Sequence, residues 1–469
     1  NSSGYILSGP EYFTIFDGLT GAKLWNTNYV VPRGNVSDWG DGYGNRVDRF
    51  LACVAYLDGV RPSVVMCRGY YTRATLCAWD WRNGVLTQRW LFDTGFSGGP
   101  WSGYKGQGAH SLTVGDVDGD GKDEITYGAC AIDDNGTGLY NTGLGHGDAL
   151  HQSDMNPDRN GLEVWMVHED PGSYGPTGLE FRDAKNGGLI FGVDGQNADV
   201  GRGVAIDVDA NYGGYEMWGA RGGLMSATGV QISTSRPGQM NFTCWWDADL
   251  TREILDGTTI SKWNPGVNNT TTLLSPAGLA SNNSTKSTPC LSADLFGDWR
   301  EEVIWRTADN LNLRIYTTTT VATNRLVTLM HDPAYRLAIA WQNVGYNQPP
   351  HPGYYLGPGM FPPPLPPIST ADLVWRGGGA NTWDAGATAN WFTNGLWVSN
   401  NTPVTFVAGR SVLFDISGSN NSAITLTGAL TPSQVTVHSP KDYSFVGNGQ
   451  LSGVMKLVKA GPGRLTLNN

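Results

Sequence analysis

One stretch of the sequence places carboxylates at every second position of a loop: Gly115-Asp-Val-Asp-Gly-Asp-Gly-Lys-Asp-Glu-Ile125. This spacing turns hard oxygen atoms toward one side of the loop, and the final glutamate closes the ring. Proteins surround Ca²⁺ with roughly six to eight oxygens in this way. We therefore predict a calcium site whose ligands are Asp116, Asp118, Asp120, Glu124 and the carbonyl group of Lys122.

Four more loops of this kind follow, and we number them together with the first: residues 116–124, 154–163, 207–216, 247–253 and 294–302 are the first to fifth acidic loops. A single Asp-rich turn is commonly just solvated, but five copies in one register favour calcium. The fourth and fifth copies are degenerate. The further predicted ligands are Asp154, Asn156, Asp158, Glu163, Asp207, Asp209, Glu216, Asp247, Asp249, Asp294, Asp298 and Glu302.

The acidic loops alternate with hairpin signals, in which two apolar runs flank a turn with Asp or Asn and Gly. Clear examples occupy residues 13–25, 76–84 and 179–188. The loops begin roughly 40 to 50 residues apart, the length of a four-stranded propeller blade. We predict an all-β fold built as a β-propeller, of which this chain supplies five or six blades.

Composition supports an all-β chain. The 469 residues include 64 glycines and 18 tryptophans but only 16% charged residues, which is typical of many short strands and tight turns. No apolar run is long enough for a membrane span. The net charge of −11 argues against a nucleic-acid partner. It would also repel an acidic polysaccharide unless bound cations offset it.

The chain divides at a proline-rich stretch. We predict a propeller domain at residues 1–357, a linker at 358–370 and a separate all-β module at 371–469. No signal peptide precedes Asn1, and we expect a processed or truncated chain. The six cysteines contain no Cys-x-x-Cys pair, so either up to three disulfides or free buried thiols remain open.

Several long motifs resemble family 11 polysaccharide lyases. They occupy residues 34–50, 143–151, 199–203, 286–289 and 343–351. The resemblance implies a secreted, extracellular or cell-surface rhamnogalacturonan lyase with an eight-bladed propeller and many calcium ions. Such an enzyme cuts the rhamnose–galacturonate bond of rhamnogalacturonan I, an acidic pectin polysaccharide, by β-elimination. It also implies further blades ahead of Asn1, so we expect a partner in an N-terminal segment or in another copy of the chain.

The resemblance also implies roles for individual residues. Lys286 would be the base that removes a weakly acidic proton, and Arg202 would bind the uronate carboxylate. Ser284 stands where the family pattern has a glycine. The sugar-binding residues implied are Asn283, Ser284, Thr285, Asn343, Gly345 and Tyr346.

Other interpretations stay open. Lys286 could be an ordinary solvated lysine, Arg202 could pair with Asp199, and His110 or His146 could be the base. The whole chain could instead be a calcium-stabilised, non-catalytic propeller that acts as an adhesin or polysaccharide-binding scaffold.

The C-terminal module carries a different resemblance. Residues 375–379, 383–384, 447–453 and 457–467 are similar to autotransporter-associated β-strand repeats. This likeness implies a surface or adhesive role for the module.

Overall fold

The computed structural model describes residues 1–361, 363, 371–378, 380–393 and 403–468. The chain forms two compact units, Asn1–Pro364 and Leu365–Asn469. Most of the predicted linker at 358–370 lies outside the described residues, as does Gly379 of the run 375–379.

The first unit consists of antiparallel sheets that follow one another along the chain, so the all-β expectation holds. A two-stranded hairpin comes first, and six sheets of four strands, numbered I to VI, follow it. The hairpin is β1 (Tyr12–Phe16) and β2 (Lys23–Asn28). Sheet I is β3 (Phe50–Ala55), β4 (Ser63–Arg68), β5 (Thr75–Arg82) and β6 (Val85–Asp93). Sheet II is β7 (Thr113–Gly115), β8 (Glu124–Thr126), β9 (Cys130–Ile132) and β10 (Gly138–Asn141).

Sheets III to V repeat the same consecutive order. Sheet III is β11 (Ala149–Ser153), β12 (Glu163–Val167), β13 (Leu179–Asp183) and β14 (Leu189–Val193). Sheet IV is β15 (Gly203–Ile206), β16 (Glu216–Gly219), β17 (Leu224–Ser226) and β18 (Gln231–Ser233). Sheet V is β19 (Phe242–Cys244), β20 (Glu253–Asp256), β21 (Thr259–Asn264) and β22 (Asn269–Leu274). The predicted hairpins at 13–25, 76–84 and 179–188 are confirmed as β1–β2, β5–β6 and β13–β14.

Sheet VI departs from this order. It consists of β23 (Leu279–Ala280), β24 (Leu291–Ala293), β25 (Glu302–Thr307) and β26 (Leu313–Tyr316). Both β23 and β24 pair with β25, and their registers place Leu279 opposite Thr307 and Leu291 opposite Ile304. The two strands thus act as one interrupted strand, and residues 281–290 leave the sheet between them as a loop.

Apolar side chains fill the spaces between neighbouring sheets. One buried cluster contains Val65 of sheet I and Ile125 of sheet II, and another contains Trp218 of sheet IV and Trp263 of sheet V. The first strands also lie side by side, because β3 contacts β7, β7 contacts β11, and β11 contacts β15. Residues at the beginning of these strands are therefore brought together.

The described part of the first unit has two α-helices, α1 (Pro171–Tyr174) and α2 (Pro333–Trp341). Helix α2 packs against β3, β7 and β24. The chain after α2 crosses the inner strands: Gln348 accepts a hydrogen bond from Leu112 N at 3.0 Å, and Ser153 Oγ donates to the Pro352 carbonyl at 2.7 Å. Neither described helix is long and apolar enough to cross a membrane.

The second unit pairs its strands mainly in parallel. Its strands are β27 (Leu373–Trp375), β28 (Thr382–Trp383), β29 (Trp391–Thr393), β30 (Ser411–Phe414), β31 (Ala423–Leu426), β32 (Ala429–Leu430), β33 (Gln434–His438), β34 (Tyr443–Gly447), β35 (Gln450–Leu451), β36 (Lys456–Ala460) and β37 (Leu465–Asn468). Val412 pairs with Val435, which pairs with Leu457, and the steps are 23 and 22 residues. Trp375, Trp383, Trp391 and Phe414 form an aromatic core there.

The cysteine alternatives are resolved in favour of thiols. None of the six cysteines forms a disulfide, and all except Cys290 are buried.

Candidate functional site

The acidic loops occupy equivalent places in the fold. Each runs from the first full strand of sheets II to VI into the following strand, and its last glutamate is the first residue of that strand. One oxygen of every such glutamate accepts backbone N–H groups from the loop, at 2.7–3.2 Å. The second oxygen is directed to other partners, and those partners differ from loop to loop.

In the first acidic loop, ligand atoms of Asp116, Asp118 and Glu124 lie within 4.8 Å of one another. A second group of the same kind joins Asp120 and Glu124 to Asp134, which the sequence motif did not include. Oε1 of Glu124 is buried without a hydrogen-bond partner, and burial raises the pKa of this carboxyl to about 8. Such a donor set fits a divalent cation. Lys122, whose carbonyl we predicted as a ligand, directs its ammonium to Asp120 at 2.7 Å.

The second and third acidic loops also contain orphaned oxygens. In the second, Asp154 Oδ1 has no partner, whereas Glu163 Oε1 lies 3.4 Å from Arg159 Nε. Asn156 Oδ1 accepts the N–H of Asp158 at 3.2 Å and so caps the turn.

In the third loop both Asp207 Oδ1 and Glu216 Oε1 are buried without partners. Burial raises the pKa of Asp207 to about 7 and that of Glu216 to about 9. The adjacent Asp209 is buried as well. This loop holds three buried carboxyl groups and receives no cationic side chain among the described residues, so its donor set fits a cation.

The fourth and fifth acidic loops differ because the chain itself supplies donors. In the fourth, Asp247, Asp249 and Glu253 all contact the ammonium of Lys262. In the fifth, Asp294 accepts hydrogen bonds from several backbone N–H groups and from the hydroxyl of Thr328, and Glu302 Oε1 accepts from Thr317 at 2.9 Å. Asp298 of the same loop pairs with Arg300.

A second cluster of chemistry-bearing residues is centred on Asp148, which the sequence motifs did not single out. Its carboxylate receives Arg202 Nη1 at 3.1 Å, Lys286 Nζ at 3.2 Å and His110 Nε2 at 3.2 Å. Asp148, Arg202 and His110 lie just before β11, β15 and β7. They converge because these first strands are neighbours, and because Ala109 pairs directly with Gly147.

Aromatic rings surround the Asp148 cluster. The hydroxyls of Tyr70 and Tyr71 lie 2.8 and 2.7 Å from the two ring nitrogens of His110. Tyr346 stacks on His110 at 4.2 Å, and Lys286 Nζ lies 4.0 Å from the centre of the Tyr346 ring. Burial, with lesser contributions from His146 and nearby cations, depresses the pKa of His110 to about 2. His110 is therefore neutral at physiological pH.

His146 lies at the edge of this cluster. Its Nδ1 is 2.6 Å from the Gly108 carbonyl, and its Nε2 is 3.3 Å from Glu169 Oε2. Burial lowers the pKa of His146 to about 4. Ligand atoms of His110, His146 and Asp148 lie within 4.8 Å of one another, so these three residues could also hold a metal ion.

Lys286 sits in the loop that interrupts sheet VI. Asn283, Ser284 and Ser287 all have left-handed backbone conformations, with φ of 59°, 47° and 53°. Glycine adopts this conformation without strain, which explains a glycine in the family pattern at position 284. Asn347 Nδ2 holds the carbonyl of Lys286 at 2.8 Å. Burial and Arg202 lower the pKa of Lys286, although Asp148 opposes the shift.

Arg202 is fixed from two sides. Its Nη1 binds Asp148, and its Nε donates to Asn241 Oδ1 at 3.0 Å. Its carboxylate partner is thus Asp148 and not Asp199, the alternative considered above. Asn241 Nδ2 in turn lies 3.1 Å from both oxygens of Asp256 and 3.4 Å from the carbonyl of Thr285.

The remaining predicted sugar-binding residues border the same cluster. Asn343 donates to the Cys290 carbonyl, at the end of the Lys286 loop. A side chain at Gly345 would come within 2.4 Å of the His110 carbonyl, so the close approach requires glycine. The Tyr346 N–H donates to that carbonyl at 3.0 Å. The structure therefore brings Lys286, Arg202, His110, His146 and Tyr346 to one place.

Comparison with known proteins agrees with this site. The model for the C-terminal domain of rhamnogalacturonan lyase family 11 matches residues 1–366. Two Bacillus subtilis proteins, the rhamnogalacturonan exolyase YesX and the rhamnogalacturonan endolyase YesW, are each 55% identical over 79% of this chain. The crystal structure of YesW superimposes with a TM-score of 0.76 at 54% identity, again over 79% of the chain.

The chain spans 62% of the length of YesX and 59% of that of YesW. A rhamnogalacturonan lyase from Bacillus licheniformis has a similar structure, with a TM-score of 0.76 and 58% identity over 79% of this chain and 62% of its own. Since the family model covers more than three quarters of its residues, this chain belongs to rhamnogalacturonan lyase family 11.

Proposed function

We propose that this chain carries the catalytic face of a rhamnogalacturonan lyase, which cleaves the rhamnose–galacturonate bond of rhamnogalacturonan I by calcium-dependent β-elimination. The observation that carries the proposal is the joint placement of Lys286 Nζ and Arg202 Nη1 on one carboxylate, at 3.2 and 3.1 Å. The relatives are an exolyase and an endolyase of equal identity, which supports a shared chemical step and favours neither mode of cleavage.

The reaction needs a base beside a group that neutralises a carboxylate. Neutral Lys286 takes the proton from C5 of galacturonate, the electron pair of that C–H bond forms the C4–C5 double bond, and the C4–O bond breaks. The leaving oxygen acquires a proton from water. The lowered pKa of Lys286 raises the fraction of neutral amine, as a base at this position requires.

Arg202 suits the substrate carboxylate. Its planar guanidinium can form two parallel hydrogen bonds with a uronate, which favours the carbanion-like transition state in which charge spreads onto that carboxylate. A divalent cation held by His110, His146 and Asp148 would supply further charge neutralisation there. Tyr346, which stacks on His110 beside Lys286, would contact the sugar face.

We also propose that sheets I to VI are blades of a propeller, and that the first three acidic loops bind calcium. Consecutive four-stranded meanders whose first strands lie side by side support the blade arrangement. Orphaned buried oxygens at Glu124, Asp154, Asp207 and Glu216 support the calcium. We propose an extracellular or cell-surface location, because the substrate is a polymer, and a surface role for the second unit, whose strands repeat at 22–23 residues.

The test is the ultraviolet absorbance of the conjugated C4–C5 double bond, which only elimination creates. The whole protein should generate this signal from rhamnogalacturonan I. Lys286→Ala should lower kcat by several orders of magnitude with little change in KM, while Lys185→Ala, a surface lysine, serves as the control. A Lys286→Ala enzyme within tenfold of the parent would move the base elsewhere, with His110 and His146 tested next.

The second candidate is a non-catalytic propeller that binds polysaccharide. It predicts binding of rhamnogalacturonan without any unsaturated product, and it gives no reason for Lys286, Arg202 and Tyr346 to meet at Asp148. The same absorbance assay separates the two functions.

A further inference from the structure

The position opposite the closing glutamate distinguishes the acidic loops from one another. Each closing glutamate begins a strand, so antiparallel pairing assigns it a neighbour on the next strand. In the second and third loops the register sets Glu163 opposite Asp183 and Glu216 opposite Ser226. In the first loop, the pairing of Ile125 with Ile132 places Glu124 next to Asp133. None of these neighbours is a cation.

The fourth loop has a lysine at this position. Ile254 pairs with Ser261, and the same register brings Glu253 beside Lys262 in the middle of β21. The Lys262 ammonium lies 2.6 Å from Asp247 Oδ2, 2.6 Å from Asp249 Oδ2 and 3.0 Å from Glu253 Oε1. It therefore contacts one oxygen of each carboxylate that the sequence motif offers to a metal.

We infer that Lys262 is the resident cation of the fourth acidic loop, which consequently takes no divalent metal ion. The three contacts use all three donor hydrogens of an ammonium group. A divalent ion needs those same oxygens, because Asp247, Asp249 and Glu253 are the ligand group that the loop could offer. Metal and ammonium therefore compete for one place, and the ammonium is covalently attached.

This substitution has a consequence for the proposed site. Sheet V, which Lys262 stabilises, ends in Asp256, and Asn241 directly precedes its first strand. These two residues hold Arg202 and the carbonyl of Thr285 in place. The support of Arg202 is thereby independent of the calcium concentration, a property that extends the proposed function without depending on it.

The experiment counts divalent ions. Purified protein is dialysed to equilibrium against buffer with excess Ca²⁺, and bound calcium per chain is measured by atomic absorption. Lys262→Ser copies the residue that occupies the equivalent position of the third loop. It should bind one more Ca²⁺ per chain than the unsubstituted protein, and the strand lysine variant Lys23→Ser should bind the same number as the unsubstituted protein.

A second variant keeps the inference falsifiable if Lys262→Ser does not fold. Asp249 is more than half exposed, so Asp249→Asn should be tolerated. It should leave the calcium count unchanged, because the fourth loop binds none. Loss of one Ca²⁺ in Asp249→Asn, or an unchanged count in a folded Lys262→Ser protein, would overturn the inference. Neither result depends on lyase activity, so failure of the proposed function is recognised separately by the absence of unsaturated product.

Discussion

The third acidic loop and the Asp148 cluster both bury carboxylates near the beginning of first strands, but they balance the charge differently. Asp148 receives Arg202, Lys286 and His110 from three different parts of the chain. Asp207 and Glu216 each keep one oxygen without a partner. An uncompensated buried carboxylate is costly, so the third loop requires an external cation whereas the Asp148 cluster does not. The difference shows that an acidic motif defines a metal site only where the fold brings no cation of its own.

The largest expected effect sharpens this comparison from the side of the loops. Each calcium site filled at about 1,000 times its dissociation constant adds about 4 kcal/mol of stability. Because we propose several such sites, EDTA should lower Tm by on the order of 10 °C. Ca²⁺ should restore Tm more fully than Mg²⁺, which demands a stricter octahedral geometry.

The melting measurement also identifies the loop responsible. Glu216→Gln should reduce the difference in Tm between calcium-loaded and EDTA-treated protein, whereas Asp249→Asn should leave it unchanged. An identical melting curve with and without EDTA would contradict the calcium assignment altogether.

The next effect tests the other side of the comparison. Asp148→Asn removes the charge that holds two cations in place, so Arg202 and Lys286 should move apart. A misplacement of about 1 Å can cost about 100-fold in rate, and we expect a loss of that size in kcat/KM for unsaturated product. Asp194→Asn, at an exposed carboxylate, is the matched control. Full activity in Asp148→Asn would show that this carboxylate does not position the two cations.

A third kind of balance uses neutral nitrogen. His151 and His351 are buried together, with Nδ1 of the first 2.9 Å from Nε2 of the second. Burial lowers the pKa of His151 to about 4 and that of His351 well below its ordinary value. Unfolded histidines titrate near 6.5, so the unfolded chain binds more protons between these values. Stability should therefore fall as pH decreases from about 6.5 to about 4.

The expected loss is roughly 3 kcal/mol for His151 alone, measured as the shift in urea midpoint at saturating calcium. His351→Asn should reduce the dependence of this midpoint on pH. If its pH dependence equals that of the parent, the pair does not contribute to acid sensitivity.

The sequence predicted the parts of this molecule that depend on local spacing. The five acidic loops occupy equivalent positions in consecutive sheets, and the hairpins are where turn residues indicated them. The residues that decide how each carboxylate is balanced were not predicted, because they depend on contacts between strands. Lys262 meets Glu253 through a cross-strand register, and Asp148 meets Lys286 across 138 positions of the sequence.

The second unit shows the same limitation. Its alternating short strands indicated an all-β module, but the parallel pairing at steps of 22 and 23 residues was not anticipated. No single segment specifies that pairing, since each turn of chain finds its neighbour only after a full step. A search for apolar residues recurring at this spacing, such as Val412, Val435 and Leu457, would have found it.

The central claim is that Lys286 and Arg202 perform β-elimination on an acidic polysaccharide. The most direct measurement is the absorbance of unsaturated uronate formed from rhamnogalacturonan I by calcium-loaded whole protein, compared between the parent and Lys286→Ala. We predict a steady rise for the parent and a rate lower by several orders of magnitude for Lys286→Ala, at unchanged folding. Cleavage of the polymer without any unsaturated product, or equal rates for the two proteins, would contradict the account.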